Sequence, residues 1–546
     1  MDKKQILTTI FIVALLFSAL AGLQFVRLAE ANFFPMQIPQ PAFIIRSDGS
    51  VDPSTAPIQR DGNVYTFTDD IVGYTVASER DNIVIDGGGY SLTGNGNSTG
   101  IFILNRNGIT VRNMEISNCG CGIKLIADIY LGGASSSNNL INNTLIDNNY
   151  GILISSSSDN VLRNNIMHDN TRNFGVQGKY VQDIDVSNTV NGKQIIYWVN
   201  QQDRTVPSDA GYVALVNCAS ITVQDLNLAD NEQGVVLVYT TDSTVTTNHI
   251  TNTSSGIYIQ ESSGNTISGN NLANNGYGIR GKAPSNNNMS SNNITNNENG
   301  IYFTGASENN IIYANIVAAN TVDGIHLWGS RNTDIDGNTV ANNTENGIVF
   351  FESLNNRIAG NTITGNGNGI KFWFDSNNNN VADNYIAKNS IGILIDDSFD
   401  NRIIGNMITE NSDWGMQLVG KQNNNVIYHN SFVDNKVGEG IQISIPGIWS
   451  MDGMKDGGGN VWDNGTAGNY WSDYLTRYPN ASEVGSSGIG DTRFYINPNN
   501  YDRYPLMEPA TIPEFPTWTP MLLPLIALIV VLAIYKWKLH KPKASR

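Results

Sequence analysis

The sequence predicts an all-β solenoid, and three observations lead to that fold class. A glycine followed by Ile, Val or Met returns every 22 to 25 residues between Gly234 and Gly440, which is typical of a repeat whose units pack only on their neighbours. Within each unit, apolar and polar residues alternate over three to five positions, as they do in strands with one buried face. Asn, Gly, Ser and Asp separate these runs and tolerate the backbone angles of tight bends.

Two columns of residues define the repeat. The glycine pairs are Gly100-Ile101, Gly122-Ile123, Gly151-Ile152, Gly175-Val176, Gly234-Val235, Gly256-Ile257, Gly278-Ile279, Gly300-Ile301, Gly324-Ile325, Gly347-Ile348, Gly369-Ile370, Gly392-Ile393, Gly415-Met416 and Gly440-Ile441. An asparagine column has nearly the same period, at Asn271, Asn293, Asn315, Asn338, Asn361, Asn384, Asn406 and Asn430. About three short strands per unit, stacked in parallel, bring these asparagines together, where they can hydrogen-bond as a ladder. We therefore interpret the repeated asparagines as structural.

Charge and cysteine content limit the partners. The formal net charge is −17, which repels nucleic acid and other polyanions at long range and excludes a nucleic-acid partner. Such a surface favours neutral or cation-bridged ligands. The three cysteines, Cys119, Cys121 and Cys218, are too few for a disulfide framework, and we expect them to be small buried hydrophobic residues.

The two ends of the chain predict export and anchoring. Residues 1–31 have a basic start, an apolar run and a small-x-small site at Ala29-Glu30-Ala31, as in a secretory signal peptide; an uncleaved N-terminal anchor is the alternative. Residues 518–535 are apolar enough to cross a bilayer as a helix. The basic tail at residues 536–546 predicts a cytoplasmic C-terminus, and residues 512–517 link this helix to the rest of the chain.

Several segments, together with the repeat, resemble a known family. They are RDNIVIDGGGYSLTG at residues 80–94, NTVNGKQIIYWVNQQDRTVPSDAGYVALVNC at 188–218, GNYWSDY at 468–474, GIGDT at 488–492 and YPLM at 504–507. Over about residues 42–508 the chain resembles the NosD-type family of right-handed, single-stranded parallel β-helices. This family is common among archaeal surface proteins and is named after a periplasmic copper-processing protein. The fold also carries lyases, hydrolases, epimerases, adhesins and spacers, so it does not define a function.

The resemblance and the repeat together divide the chain into predicted domains. We expect an N-terminal cap at residues 32–79, a β-helix at 80–449 with an insertion at about 177–220, and a C-terminal cap at 450–511. A cap at each end would cover strand edges that are otherwise unpaired. The linker at 512–517, followed by the apolar helix and basic tail, resembles archaeal sorting signals that are cut and exchanged for a lipid.

An exposed strip of aromatic residues is the first candidate site. Side chains alternate along a strand. The first and third residues after each glycine point inward, so the second and fourth residues after the glycine point outward. The fourth positions hold Trp328, Phe351 and Trp373 on three successive turns, which we name the aromatic strip. Contiguous exposed apolar residues mark contact sites, and flat rings beside carboxylates suit sugar rings; burial of the rings under a loop or cap is the alternative. The predicted ligand-binding residues are Tyr302, His326, Trp328, Phe351, Glu352, Lys371 and Trp373.

Catalysis and metal binding are further hypotheses. The residues Asp375, Asp396 and Asp397 are candidate acids, bases or nucleophiles. Copper binding is suggested only by the family name. The histidines outside the signal and anchor segments are scattered along the sequence, and Cys119 and Cys121 form the only compact pair of soft ligands in it. Calcium at exposed aspartates stays open, although no twelve-residue calcium loop is present; no other cofactor is predicted.

The sequence therefore predicts a monomeric extracellular β-helix, anchored to the outer face of the cell membrane. Its predicted role is to bind a polysaccharide or envelope glycan, or to serve as a structural part of the envelope. A carbohydrate-active enzyme (lyase, hydrolase or epimerase) that uses groove carboxylates is one alternative. A NosD-like copper-processing protein is the other.

Overall fold

The computed structural model describes residues 37–128, 133–420, 424–436, 442–446, 448–450, 453–455 and 459–509. The chain divides into two compact units. Unit 1 comprises Met1–Tyr197 and Asp230–Glu232, and unit 2 comprises Trp198–Ala229 and Gln233–Arg546. In each unit, short strands pair in parallel with the strand one turn later. The predicted parallel β-solenoid is thereby confirmed.

Unit 1 has three columns of parallel strands. The glycine-pair column comprises Ala42–Ile45, Thr75–Ser78, Thr99–Leu104, Cys121–Ile126, Tyr150–Ser155 and Arg172–Gln177. The second column comprises Val64–Phe67, Val84–Asp86, Thr110–Arg112, Asn139–Ile141, Val161–Arg163 and Asp183–Ile184. The third comprises Ile71–Val72, Ser91–Thr93, Glu115–Ser117, Thr144–Ile146, Ile166–His168 and Thr189–Val190. Antiparallel strands Val51–Asp52, Ile58–Asp61 and Lys193–Val199 pair at the margins of these columns.

Unit 2 repeats this arrangement. Its glycine-pair column comprises Ala210–Val216, Gln233–Val238, Ser255–Gln260, Tyr277–Lys282, Asn299–Thr304, Ile325–Trp328, Asn346–Phe351, Asn368–Trp373, Ile391–Asp396, Trp414–Val419 and Ile443–Ser444. The second column comprises Gln202–Thr205, Ala219–Gln224, Thr244–Thr246, Thr266–Ser268, Asn288–Ser290, Ile311–Tyr313, Asp334–Asp336, Arg357–Ala359, Asn380–Ala382, Arg402–Ile404 and Val426–Tyr428. The third comprises Asn227–Ala229, His249–Thr251, Asn271–Ala273, Asn293–Thr295, Ile316–Ala318, Thr339–Ala341, Thr362–Thr364, Tyr385–Ala387, Met407–Thr409, Ser431–Val433 and Tyr470–Trp471.

The later part of unit 2 departs from this regularity. Two antiparallel pairs, Ile448–Ser450 with Gly453–Lys455 and Phe494–Asn497 with Asn500–Asp502, accompany a short helix at Tyr474–Arg477. Trp471 is buried and stacks on Phe432 and Phe494, with ring centroids 4.7 and 4.2 Å apart. These stacked rings give residues 459–509 an aromatic core on the last turns.

Register in unit 2 places the apolar residues inside. Ile257, Ile279, Ile301 and Ile325 pair one with the next and are fully buried. The residue that follows each of these isoleucines lies on the outer face and keeps some exposure. The predicted alternation is thus confirmed at these four glycine pairs, and it sets the outward side chains of successive turns about 4.8 Å apart. Val349, at the outward position after Gly347, is buried, and Gly440-Ile441 lies outside the described residues.

Buried asparagines form ladders along the bends. The longest runs through Asn248, Asn270, Asn292, Asn315, Asn338, Asn361, Asn384, Asn406, Asn430 and Asn469. Each side-chain Nδ2 donates to the Oδ1 of the next asparagine at 2.9–3.0 Å. Asn271 and Asn293 of the predicted column lie outside this ladder: they are exposed, and Asn293 Nδ2 donates to Asn271 Oδ1 at 3.2 Å. Because each follows another asparagine, a period of 22 fits either neighbour, and only the fold shows which side chain points inward.

The repeated glycines are explained by a close approach between turns. A Cβ atom built on Gly256, Gly278, Gly300, Gly324, Gly347, Gly369 or Gly392 would lie 2.4–2.7 Å from the carbonyl oxygen of the next glycine in the column. Real Cβ atoms essentially never approach another heavy atom so closely. Only a residue without a side chain allows the backbones to stack at this bend.

Some predictions fall outside the described residues. The signal peptide at 1–31, the linker at 512–517, the membrane helix at 518–535 and the tail at 536–546 all lie there. Within the part of the chain that the structure describes, no helix combines the length and apolar character needed to span a bilayer. The boundaries of the two caps and of the insertion at 177–220 stay predictions.

Candidate functional site

The aromatic strip lies on the outer face of unit 2. Phe351 pairs with Trp328 on one side and Trp373 on the other through the parallel register. Its ring makes edge contacts with both indoles, at centroid distances of 5.4 and 5.1 Å. Trp328 is 45% exposed and Trp373 is 39% exposed. Both indoles are therefore partly exposed, and the strip runs across three successive turns.

Phe374 extends the strip, and the sequence interpretation missed it. Its ring stacks on Phe351 at 5.9 Å with an interplanar angle of 17°, and it is half exposed. The residue takes a left-handed backbone conformation with φ 50°, at a bend where the earlier turns have Gly305 and Gly329. The equivalent bend residues Tyr239, Glu261 and Glu352 take the same left-handed conformation, so this backbone shape belongs to the repeat. The signal in the sequence was an aromatic residue at a bend position.

Polar groups border the strip. Trp328 Nε1 donates a hydrogen bond to Glu352 Oε2 at 3.4 Å. Lys371 Nζ lies 4.5 Å from the centroid of the Trp373 ring, a cation–π contact. Ring faces with carboxylate and ammonium groups at their margins can stack on a sugar and hydrogen-bond its hydroxyl groups.

A second outward row lies two residues earlier on each strand. Tyr302 and His326 pair through the register, and their ring centroids are 4.7 Å apart. Asp323, which the sequence interpretation also missed, contacts His326 Nδ1 through Oδ2 at 2.8 Å. Burial, together with the neighbouring Tyr277, raises the pKa of Tyr302 above its ordinary value. The structure therefore groups all seven predicted ligand-binding residues on four successive turns.

The three candidate catalytic carboxylates lie at the far end of the strip. Asp396 pairs with Trp373 through the register, and the Asp375 amide donates to the Asp397 carbonyl oxygen at 2.9 Å. A Cβ atom on Gly420 would lie 2.4 Å from Asp397 Oδ1 and 3.2 Å from Asp396 Oδ1, so these two carboxylates are close together. Burial and the charge of Asp397 raise the pKa of Asp396, while Lys371 opposes the shift.

Comparison with known proteins gives the family. Residues 54–208, 196–323 and 316–476 match the family described as periplasmic copper-binding protein (NosD). The chain belongs to the NosD family. This confirms the resemblance that the repeat and its flanking segments predicted. No curated protein matches this NosD-family chain.

Several solved structures are distantly similar to this NosD-family chain. A mutant of the periplasmic alginate epimerase AlgG is 13% identical with a TM-score of 0.36, over 73% of this chain and 83% of that one. The A-module of the Azotobacter vinelandii mannuronan C-5 epimerase AlgE6 is 14% identical with a TM-score of 0.34, over 71% and 91%. DFA-IIIase from Arthrobacter chlorophenolicus A6 is 11% identical with a TM-score of 0.28, over 56% and 76%. At these values none of them bears on the function of this chain.

The family description raises the question of copper, and the cysteine pair does not fit it. Cys119 and Cys121 are buried free thiols that donate to the carbonyl oxygens of Ser117 and Ile123 at 3.4 Å. Burial raises the pKa of Cys119 to about 11 and that of Cys121 to about 12, whereas metal binding requires the thiolate. Across the described ranges, no three His, Cys, Asp or Glu side chains are grouped to hold a metal ion.

Proposed function

We propose that unit 2 of this NosD-family protein binds a polysaccharide or envelope glycan along the aromatic strip. The observation that carries the proposal is the continuous row of Trp328, Phe351, Trp373 and Phe374, with both indoles accessible. Contiguous aromatic rings that stay exposed to water do not stabilise the fold by burial. Exposed apolar patches of this kind are typical of a contact surface. Successive turns about 4.8 Å apart present the rings to an extended ligand.

The expected location of the chain agrees with this proposal. The family description is that of a periplasmic protein, and the signal peptide and C-terminal anchor, which stay predictions from the sequence, would put the chain on the outer face of the membrane. A glycan-binding face on an anchored protein would hold envelope polysaccharide close to the cell, which joins the binding role to the structural role predicted from the sequence.

The test is a double variant, Trp328→Ala with Trp373→Ala, in the purified full-length protein. Affinity electrophoresis in gels that contain single polysaccharides, neutral and acidic, measures retention. We expect at least about a tenfold loss of affinity, since a central aromatic contact contributes about 1–2 kcal/mol or more. Tyr313→Ala is the matched control, because Tyr313 is 51% exposed but lies in the second column of strands. Equal retention of the double variant and wild type, with unchanged circular dichroism, would refute the proposal.

Polysaccharide cleavage or epimerisation by groove carboxylates is a second candidate function. The close approach of Asp396 and Asp397, with a raised Asp396 pKa, favours it, because pairs of carboxylates with unequal proton affinity can divide the roles of acid and base. Product analysis of wild type and of Asp396→Asn tests this candidate, by size-exclusion chromatography for cleavage and by proton NMR for epimerisation, which leaves the chain length unchanged.

A further inference from the structure

Three successive bends of unit 2 enclose a recess that is open to solvent. Its lining comes from the bends at residues 200–202, 217–219 and 239–241, and its volume is about 320 Å³. Ala219 pairs with Gln202 on one side and with Thr241 on the other. Because alanine is smaller than either neighbour, the middle bend leaves space between the outer two. A volume of this size lies at the lower end of the range for small-ligand sites.

The lining of this recess is uncharged and rich in carboxamides. Four of its eight residues carry one: Asn200, Gln201, Gln202 and Asn217. Asn217 Nδ2 donates to Asn200 Oδ1. Gln201 Nε2 donates to the Val199 carbonyl oxygen at 3.0 Å, so three of the four carboxamides are already positioned. A carboxamide both donates and accepts hydrogen bonds, as a hydroxyl group does. The amide recess, as we name it, therefore suits a ligand with several neighbouring hydroxyl groups.

Tyr239 gives the amide recess an aromatic wall. This residue is 49% exposed. Its ring offers an apolar face, and its hydroxyl offers a polar tip. A sugar ring matches that combination, because it stacks through its C–H face and forms hydrogen bonds through the hydroxyl groups at its rim. An exposed ring beside carboxamides thus favours a carbohydrate over a purely apolar ligand.

The charge beside the amide recess favours a neutral sugar. Asp203 and Asp242 each directly follow a lining residue, and Glu261 occupies the next bend of the column. Arg204 is a nearby cation, and its guanidinium lies 5.5 Å from the centroid of the Trp198 ring. These three carboxylates outnumber the guanidinium, so they repel a sugar that itself carries a carboxylate.

The amide recess and the aromatic strip share one line of bends. On seven successive turns of unit 2 the equivalent bend residue has a positive φ: Tyr239, Glu261, Ala283, Gly305, Gly329, Glu352 and Phe374. Six steps of about 4.8 Å set Tyr239 and Phe374 about 29 Å apart along the stacking direction. A polysaccharide that runs parallel to this line reaches both places, whereas a short oligosaccharide reaches only one.

We propose that the amide recess is a second glycan subsite, which takes a neutral sugar residue of the polysaccharide that lies on the aromatic strip. Tyr239 stacks on the C–H face of this sugar, and the carboxamides form hydrogen bonds with its hydroxyl groups. The inference rests on the proposed function and names its ligand class as a neutral polysaccharide. Carboxylates beside the aromatic strip, those of Glu352, Asp375 and Asp396, favour the same class. Contact at two subsites by one chain raises affinity, because the second contact is intramolecular.

Tyr239→Ala in the purified full-length protein tests the amide recess. Affinity electrophoresis measures binding to laminarin, galactomannan and glucomannan, which are neutral, and to sodium polygalacturonate, which is acidic. We expect wild type to bind a neutral probe and Tyr239→Ala to lower that affinity about tenfold or more. Tyr313→Ala is the matched control and should keep wild-type affinity, because Tyr313 is 51% exposed and lies outside the recess. Circular dichroism checks that each variant is folded.

Hydrogen exchange, measured by mass spectrometry, locates the contact. The neutral probe that wild type binds should slow exchange in peptides that cover residues 198–206 and 217–224. In Tyr239→Ala, at the same probe concentration, this protection should be lost.

The aromatic strip and the amide recess can fail separately. If Tyr239→Ala binds like wild type while Trp328→Ala with Trp373→Ala loses affinity, the recess is refuted and the proposed function stands. If only Tyr239→Ala loses affinity, the recess stands and the proposed function fails. Binding of polygalacturonate as tight as that of the neutral probes would refute the ligand class. If wild type binds none of the four polysaccharides, both proposals fail.

Discussion

At the scale of single residues, one asparagine side chain satisfies several buried groups at once. Asn338 Nδ2 donates to the carbonyl oxygens of Ile312 and Asp336 and to Asn361 Oδ1. Its Oδ1 accepts from the backbone and the side-chain nitrogen of Asn315. The carboxamide supplies two donor hydrogens and an acceptor oxygen, whereas a carboxylate supplies no donor and a hydroxyl only one. Asn can therefore satisfy more groups at this bend than Asp or Ser.

Asn338→Ala should therefore be costly. It leaves a buried amide of Asn315 and a buried carbonyl of Ile312 without these partners, which we expect to lower the free energy of unfolding by about 3 kcal/mol. Guanidinium titration followed by circular dichroism gives the value. Asn271→Ala is the control, because Asn271 is exposed and should change stability by no more than about 0.5 kcal/mol. Equal effects of the two substitutions would contradict the ladder.

At the scale of structural elements, the last turns of unit 2 combine stacked rings with a buried carboxylate. Asp502 is fully buried beside Trp471, whose Nε1 donates to Asp502 Oδ2 at 3.0 Å. Amides of Asn469 and Tyr504 donate to the same carboxylate at 2.7 and 3.0 Å. Burial nevertheless raises the pKa of Asp502 to about 6. The segment thus contains a carboxyl group whose ionisation is less favourable in the folded state than in the unfolded state.

The sign of the resulting pH dependence follows from that shift. A group with a raised folded-state pKa adds stability that is complete below its unfolded pKa, 3.8, and is lost as the pH rises through about 6. Relative to Asp502→Asn, the free energy of unfolding of wild type should fall by up to about 3 kcal/mol between about pH 4 and about pH 7. Guanidinium unfolding of both proteins, followed by tryptophan fluorescence, measures the difference. A difference that is constant with pH would contradict the assignment.

At the scale of the whole molecule, stability is a sum over neighbouring turns. Strands pair with the turn before and the turn after, and the core isoleucines contact their equivalents one repeat away. In such a protein a local defect should open nearby turns and leave distant ones folded. The glycine column is a sensitive place for a defect, because an added Cβ atom there would lie 2.4–2.7 Å from the carbonyl oxygen of the next turn.

Gly347→Ala tests this behaviour. The added Cβ would lie 2.6 Å from the Gly369 carbonyl oxygen and 3.0 Å from Ile363 Cγ2. We expect hydrogen exchange, measured by mass spectrometry, to accelerate in peptides from about residues 324–392 and to keep wild-type rates in peptides from 233–282. Thr344→Ala is the control, since Thr344 is exposed on the same turn. Faster exchange throughout unit 2 would show a single cooperative unit instead.

The period of the glycines, the alternation of apolar residues and the turn residues were enough to determine the parallel solenoid and the outward direction of the aromatic strip. These features are local and repeat many times, so each turn confirms the register of the next.

The same period could not distinguish Asn270 from Asn271, because the two are adjacent and equally polar. Nor could it identify Asp323 and Phe374, each of which occurs once and breaks the repeat. Only the tertiary structure places Asp323 against His326 and Phe374 over Phe351, since these contacts depend on how the backbone bends at the end of a turn. Composition and periodicity average over turns, whereas a site depends on the single turn that differs.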